Sequence, residues 1–213
     1  GYIGGFIFDK IARTAKDVME DNVYILNDDE EINRFYDPRG LSLQDNVYYV
    51  RNPSEVYTRE LIPAPEFHPF VLRQQTAEII DFVRANLSVT KILLEIVQGT
   101  NASLDTDILL PQGSSAVPFE LSGQAKYRKV SKHMTEISFE HPLKPSEKRK
   151  KFGWIDSFPQ LSAAIDNVSG CGSISVKESY DLSFGVNLKL ASRFGIAGEW
   201  LTEHHWNLNV SVA

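Results

Sequence analysis

The sequence predicts an α+β fold in which an N-terminal helix and hairpin region precedes a buried central helix and two similar antiparallel β-meander units. Three observations lead to this fold class. Apolar residues recur at helical spacing over residues 70–87. Residues 46–53 and 56–61 are rich in β-branched and aromatic side chains and flank a proline-containing turn, as hairpin strands do. From Gly99 onward, short segments alternate polar and apolar residues, which is typical of sheets with one solvated face.

The negative charge of the chain is concentrated in its first third. The formal net charge is −6, and residues 1–68 carry 13 acidic and 7 basic residues, while residues 69–213 carry 15 of each. Such a balance argues against non-specific nucleic-acid binding, which needs positive charge to neutralise phosphates. By composition we divide the chain into residues 1–68, 69–143 and 144–213, although these segments could also pack as one compact domain.

Cysteine content and hydropathy indicate a soluble, cytoplasmic protein. The single cysteine, Cys171, excludes an internal disulfide and any cysteine-based zinc site. The first apolar run, GYIGGFIF, is too short to span a bilayer and lacks the basic flank of a signal peptide. We expect neither a metal nor an organic cofactor.

The elements of the first 68 residues are predicted from local patterns. Ile7, Ile11, Ala15 and Val18 share one helical face, which predicts a docking helix or, alternatively, a helix lying on a membrane surface. A short strand follows at residues 22–26. The acidic run at residues 28–31 fits the first turn of a helix, where carboxylates interact favourably with unpaired amides, better than it fits a calcium loop. A Pro-Gly turn comes next.

The later elements are predicted in the same way. The central helix is expected to begin only after Pro69, and residues 89–97 to form a strand buried on both faces. A short helix is expected around residues 158–165. In the last strand, residue parity places His204, Trp206, Leu208, Val210 and Val212 toward the core and His205, Asn207, Asn209 and Ser211 toward water.

Two stretches share a β-meander pattern. Residues 119–141 and 188–212 each contain a strand, a turn with small residues, a second strand and a final alternating strand near a histidine. Each stretch also follows a predicted helix. An internal duplication would explain this pattern, although unrelated meanders can share it.

Three residues are candidates for reactive or ligand positions. Glu203 and His205 share one face of the last strand, whereas His204 and His205 point to opposite faces and cannot chelate one ion together. Two ligands make a poor zinc site, because tetrahedral zinc needs three or four. Cys171 lies between glycines, where a nucleophile could sit, but a tight turn before the next strand explains the same sequence.

One basic run is a candidate contact for an anionic partner or a membrane surface. Its cations are Lys144, Lys148, Arg149, Lys150 and Lys151. Phe152 and Trp154 follow and could enter a membrane surface or stack on a base. A solvated connector between the two β-meander units is the alternative interpretation.

No set of residues in the sequence converges on a catalytic motif. We therefore predict a non-catalytic protein-binding or scaffold protein that binds a protein partner or associates with itself. A membrane-active or pore-forming protein is the first alternative. A hydrolase that uses Cys171 or a histidine is the second.

Overall fold

The computed structural model of the protein describes residues 5–8, 23–26, 29–44, 47–98, 125–131, 134–143, 145, 151–168, 170, 172–180 and 204–213. The chain divides into two compact units. The first unit comprises Gly1–Val71 and Asp181–Leu201, and the second comprises Leu72–Tyr180 and Thr202–Ala213. Helices and antiparallel sheet pairings confirm the α+β class. The division of the chain into three segments by composition stays a prediction.

The first unit contains a four-stranded sheet in the order β2-β1-β3-β4. Its elements are β1 (Gly5–Phe8), β2 (Val23–Leu26), a one-turn helix α1 (Asp29–Ile32), β3 (Tyr48–Arg51) and β4 (Leu61–Pro63). β1 pairs in parallel with β2 and antiparallel with β3. The strand predicted at residues 22–26 and the acidic helix start are confirmed.

The helix predicted from Ile7 is wrong at its beginning. Residues 5–8 form β1, because the aromatic and β-branched run GFIF pairs with strands on both sides. The rest of the predicted helix, residues 9–21, lies outside the described residues. The hairpin is confirmed, but its second strand begins at Leu61, because residues 52–60 form the connecting loop. The backbone N–H of Asn52 donates to the carbonyl of Glu60 across this loop at 2.9 Å.

A long helix follows β4 after one 3-10 turn (Ala64–Glu66). Helix α2 (Phe67–Asn86) begins two residues before Pro69, not after it as predicted. Proline is tolerated there because the first turn of a helix has no internal acceptor for its backbone N–H groups. The predicted end near Leu87 is confirmed.

The second unit contains a five-stranded antiparallel sheet in the order β6-β7-β5-β9-β8. Its elements are β5 (Val89–Gln98), β6 (Ala125–Ser131), β7 (Met134–Leu143), a 3-10 turn (Ile155–Ser157), α3 (Pro159–Asp166), β8 (Gly172–Ser179) and β9 (His204–Val212). β5 is central, as its apolar sequence predicts. Burial on both faces is wrong, however, because Leu93 and Val97 are only half-buried while Ile92, Leu94 and Ile96 are buried.

One face of this sheet forms the core of the second unit. Ile96 of β5 lies opposite Trp206 of β9, which in turn lies opposite Glu178 of β8. The indole N–H of Trp206 donates to the Thr76 hydroxyl of α2 at 3.0 Å, and its ring meets Phe158 edge-on. The predicted inward row of β9 is confirmed for its buried members, His204, Trp206, Leu208 and Val210, while Val212 is half-buried.

The internal duplication is not confirmed. β5 pairs with β7 on one side and with β9 on the other, so the two predicted meanders form one continuous sheet. Residues 99–124 and 188–203, on which much of the comparison between the two stretches depends, lie outside the described residues.

Candidate functional site

The basic run is described only at its end. Four of its cations lie outside the described residues: Lys144, Lys148, Arg149 and Lys150. Lys151 is exposed. Trp154 is only 2% exposed, and its indole N–H donates to the side-chain oxygen of Gln74 at 2.9 Å. The Trp154 ring therefore belongs to the core of the second unit, and it is not presented to a membrane surface or a base as we predicted. A buried indole needs both apolar neighbours and an acceptor, and α2 supplies the acceptor.

A buried carboxylate fixes this end of the basic run to α2. Glu78 accepts hydrogen bonds from the backbone N–H of Gly153 at 2.9 and 3.0 Å and from that of Trp154 at 2.8 Å. Beside it, the ring of Phe152 meets Phe82 of α2 edge-on, with ring centroids 5.3 Å apart. Two backbone donors that the connector would otherwise leave unpaired in the interior are satisfied in this way.

The other predicted site residues do not come together among the described residues. Cys171 and Glu203 lie outside them, and His205 is half-buried on the outer face of β9. Gly172, the residue after Cys171, pairs with Val212, while Ser179 pairs with His205. Seven residues of strand, about 23 Å, therefore separate Gly172 from the His205 end. Within the described residues, no group of three histidine, cysteine or acidic side chains could hold a metal ion.

A second buried carboxylate caps helix α3. Glu178 of β8 is 7% exposed and accepts a hydrogen bond from the backbone N–H of Leu161 at 2.7 Å. The N-cap residue of α3, Phe158, provides no side-chain hydrogen bond of its own. Burial raises the pKa of Glu178, and hydrogen bonds from the backbone of Leu161 and Gln160 oppose that rise. The Glu178 carboxylate, which belongs to β8, thus replaces the missing N-cap side chain of α3.

In the first unit, a tight turn carries an unusual set of side chains. Residues Asp37 to Gly40 form a four-residue turn closed by a hydrogen bond from the Gly40 N–H to the Asp37 carbonyl at 2.9 Å. Aspartate, proline and glycine occupy the first, second and fourth positions, as type I turns favour. Gly40 has a φ of 78°, in the left-handed region that glycine adopts without steric cost.

An ion pair inside the turn makes it rigid. The carboxylate of Asp37 is fully buried and accepts hydrogen bonds from the Arg39 backbone N–H and from Nε at 2.9 Å and Nη2 at 2.6 Å. The remaining guanidinium nitrogen, Nη1, forms an ion pair with Glu66, which is half exposed. The hydrogen bond to Asp37 raises the pKa of Arg39 above its ordinary value. Such a two-pronged pairing fixes the orientation of the arginine as well as its charge.

The residue before the turn is held by the loop between β3 and β4. Tyr36 forms a parallel bridge with Glu60. The Tyr36 N–H donates to the Arg59 carbonyl at 3.0 Å, and the Leu61 N–H donates to the Tyr36 carbonyl at 2.9 Å. The Tyr36 hydroxyl donates to Glu60 at 3.5 Å, and Asn52 donates to the same carboxylate at 2.8 Å. Burial, then the Glu60 carboxylate, raises the pKa of Tyr36, and Arg59 partly offsets that rise.

Two large apolar side chains are exposed on either side of this rigid turn. Among the described residues, Tyr36 is 47% and Leu41 55% exposed. Arg34 and Arg59 are exposed beside Tyr36, and the Nε of Arg59 donates to the Arg34 carbonyl at 2.6 Å. We call Arg34, Tyr36, Leu41 and Arg59 the turn surface.

Sequence reasoning identified the turn but missed the turn surface. The Asp-Pro-x-Gly pattern was visible, and so were the flanking Tyr36 and Leu41. The exposure of Tyr36 was not, because it depends on the pairing of Tyr36 with Glu60, which lies 24 residues further along the chain. The signal for Glu178 was its position on the inward row of β8, where a charged residue interrupts apolar ones.

Comparison with family models, with curated proteins and with solved structures gave no match for this chain. Within the described ranges, every helix is too short or too polar to cross a lipid bilayer. The function must therefore be inferred from the geometry of the chain itself.

Proposed function

We propose that this chain is a non-catalytic protein-binding protein and that its partner docks on the turn surface. One observation carries the proposal: Tyr36 and Leu41, two large exposed apolar side chains, flank a turn held by an ion pair between Arg39 and the buried carboxylate of Asp37. Tyrosine and arginine are enriched at the residues that dominate binding energy in protein interfaces.

The rigidity of the turn supports a binding role. A flexible loop loses conformational entropy when it docks, and a preorganised loop avoids most of that cost. Here the Asp37–Arg39 pair, the Asp37–Gly40 hydrogen bond and the Tyr36–Glu60 bridge all constrain the backbone before any partner arrives. Burying the Asp37 carboxylate and pairing it with Arg39 costs desolvation free energy, which is unusual for a turn that only connects two elements.

Two buried carboxylates of the second unit have structural partners. Glu78 holds the end of the basic connector, and Glu178 caps α3. These contacts give both carboxylates a structural role, as a scaffold would use them.

Site-specific photo-crosslinking tests the proposal. A photoreactive benzophenone amino acid replaces Leu41 in cells that express the chain, and the same group replaces the exposed Ser175 of β8 as a matched control. We expect a discrete protein adduct from position 41, lost on Tyr36→Ser and absent from position 175. An adduct with a second copy of the chain would identify self-association. The proposal is overturned if positions 41 and 175 give the same adducts, or if Tyr36→Ser changes nothing.

A liposome experiment separates this function from the membrane-active alternative. The purified chain is mixed with vesicles that contain an anionic lipid and a trapped dye. We expect neither leakage nor co-sedimentation. Leakage at low protein concentration would replace the protein-binding proposal with a membrane-active one.

A further inference from the structure

We infer that the partner segment that docks on the turn surface is an acidic peptide stretch carrying an apolar side chain next to its carboxylates. This inference rests on the proposed function and deepens it. The apolar part follows from Tyr36 and Leu41, and the acidic part follows from the two arginines beside Tyr36.

Both arginines of the turn surface lie next to Tyr36. The Arg59 carbonyl accepts a hydrogen bond from the Tyr36 N–H at 3.0 Å, and the Arg59 Nε reaches the Arg34 carbonyl at 2.6 Å. The Arg59 side chain is thus hydrogen-bonded to the backbone of Arg34, two residues before Tyr36, so both arginines belong to the chain segments that flank Tyr36. The contact to a carbonyl also uses Nε of Arg59 and leaves its terminal nitrogens for another acceptor.

The two arginines of the turn surface, Arg34 and Arg59, differ from the neighbouring Arg39 in their ion pairs. Arg39 is paired with Asp37 and Glu66. Among the residues that the structure describes, no carboxylate forms an ion pair with Arg34 or Arg59, and both are exposed. A guanidinium group presents a planar fork of N–H donors that matches a carboxylate. Carboxylates are therefore the groups that this surface recognises best.

The overall charge of the chain favours a short acidic segment over a long polyanion. Residues 1–68 carry six more acidic than basic residues, with 13 and 7 respectively. A nucleic acid gains affinity from many phosphate contacts, and an acidic surrounding weakens that gain. A peptide with one or two carboxylates needs only a few local N–H donors, and the exposed Arg34 and Arg59 supply such donors beside Tyr36.

A peptide selection tests this inference. Random short peptides displayed on phage are selected on the purified full chain, and the enriched sequences are synthesised with their aspartates intact or replaced by asparagine. We expect enriched peptides to combine acidic and aromatic or aliphatic residues. We also expect the asparagine forms to bind about tenfold more weakly, as loss of charge-assisted hydrogen bonds implies.

Variants of the chain locate the binding site. Arg34→Gln with Arg59→Gln should weaken acidic peptides about tenfold and leave the asparagine forms unchanged. Tyr36→Ser with Leu41→Ser should abolish binding of both forms. Lys177→Gln, which removes an exposed cation of β8, is the matched control and should change nothing. Circular dichroism verifies that each variant is folded.

The outcomes distinguish failure of this inference from failure of the proposed function. Peptides that need Tyr36 and Leu41 but bind equally well without carboxylates overturn the inference and leave the proposed function standing. Enriched peptides that are insensitive to Tyr36 and Leu41 overturn both. Vesicles with an anionic lipid, or a single-stranded oligonucleotide, are tested as competitors. If either displaces the acidic peptide and depends on Arg34 and Arg59, the partner is a polyanion and the inference is wrong.

Discussion

At the scale of single residues, buried carboxylates in this protein stabilise backbone that lacks partners of its own. Asp37 accepts the N–H of Arg39 in a turn, Glu78 accepts two N–H groups of a connector, and Glu178 accepts one at the start of a helix. An unpaired buried N–H costs roughly 1–3 kcal/mol, which is comparable to the gain from each such contact. We therefore expect substitution of Asp37, Glu78 or Glu178 to act first on the free energy of unfolding and to lower it.

The Asp37–Gly40 turn gives a prediction at Gly40. An alanine side chain would meet no atom within 4 Å, so the cost of Gly40→Ala is only that of the left-handed φ of 78°. We expect the free energy of unfolding to fall by about 1–2 kcal/mol in urea denaturation. Gly172→Ala is the control, because Gly172 also has open space around it but lacks a positive φ. An equal effect at both positions would contradict the assignment of strain to Gly40.

Glu178 gives a prediction about pH. Burial raises its pKa in the folded state, so the folded protein holds this proton more tightly than the unfolded chain does. Stability from this group is then present below its unfolded pKa and is lost as pH rises through its folded pKa. Glu178→Gln keeps an acceptor for the Leu161 N–H and should avoid this loss, so its stability relative to wild type should increase with pH above about 4.

Urea unfolding at several pH values measures this effect. Glu178→Ala removes the acceptor and should destabilise the protein by about 1–2 kcal/mol below about pH 4, and this difference should narrow as pH rises. Glu55→Gln, at an exposed glutamate, is the control and should follow wild type. If Glu178→Gln and wild type keep a constant difference across the pH range, the carboxyl group does not titrate as proposed.

At the scale of elements, α2 organises the second unit through its polar as well as its apolar side chains. Its Gln74 and Glu78 hold Trp154, and its Thr76 accepts the indole N–H of Trp206 while donating to the Leu72 carbonyl at 2.7 Å. Hydrogen bonds of this kind require a particular rotation of the helix about its axis, whereas apolar contacts tolerate several. The helix is thereby fixed against both the connector and the sheet.

The anchor at Glu78 can be tested by hydrogen exchange. Glu78→Ala removes the acceptor of the Gly153 and Trp154 N–H groups, and we expect both amides to lose protection. The free energy of unfolding should fall by about 3 kcal/mol, since hydrogen bonds to charged groups contribute more than neutral ones. Asp156→Ala removes an exposed carboxylate nearby and should leave these amides protected. Unchanged exchange in Glu78→Ala would show that the connector is held by its apolar contacts alone.

The elements also show which patterns a sequence can reveal. α2, β5 and β9 were predicted well because their periodic patterns are long enough to distinguish helix from strand. Residues 6–8 are predicted as helix because a short apolar run fits both the helical and the strand period, and only pairing with β2 and β3 decides between them. Trp154 was predicted to be exposed because it follows four cations, yet its burial depends on Gln74, 80 residues earlier. Non-local partners determined each of these differences.

At the scale of the whole molecule, the order of strands sets which backbone is most protected. β5 is paired on both sides, by β7 and β9, whereas β8 is paired among the described residues only with β9. Amides that open only with the whole sheet exchange most slowly.

We therefore expect the central amides of β5 to exchange at least about tenfold more slowly than the slowest amides of β8. Native-state hydrogen exchange followed by mass spectrometry measures both strands in one sample. The paired amides of β9 serve as an internal standard and should resemble those of β5. Equal protection of β8 and β5 would mean that another segment covers the outer edge of β8.

The position of β9 has a consequence for how the protein is made. Thr90 of β5 donates to the Ser211 carbonyl of β9, and these residues are 121 apart in the chain. During translation β5 leaves the ribosome long before the strand that will flank it, so one of its edges waits with unpaired amide and carbonyl groups. Such an edge recruits other chains, and closing so long a loop is slow. Nascent chains stalled before residue 204 should therefore depend on chaperones, and release of β9 should end that dependence.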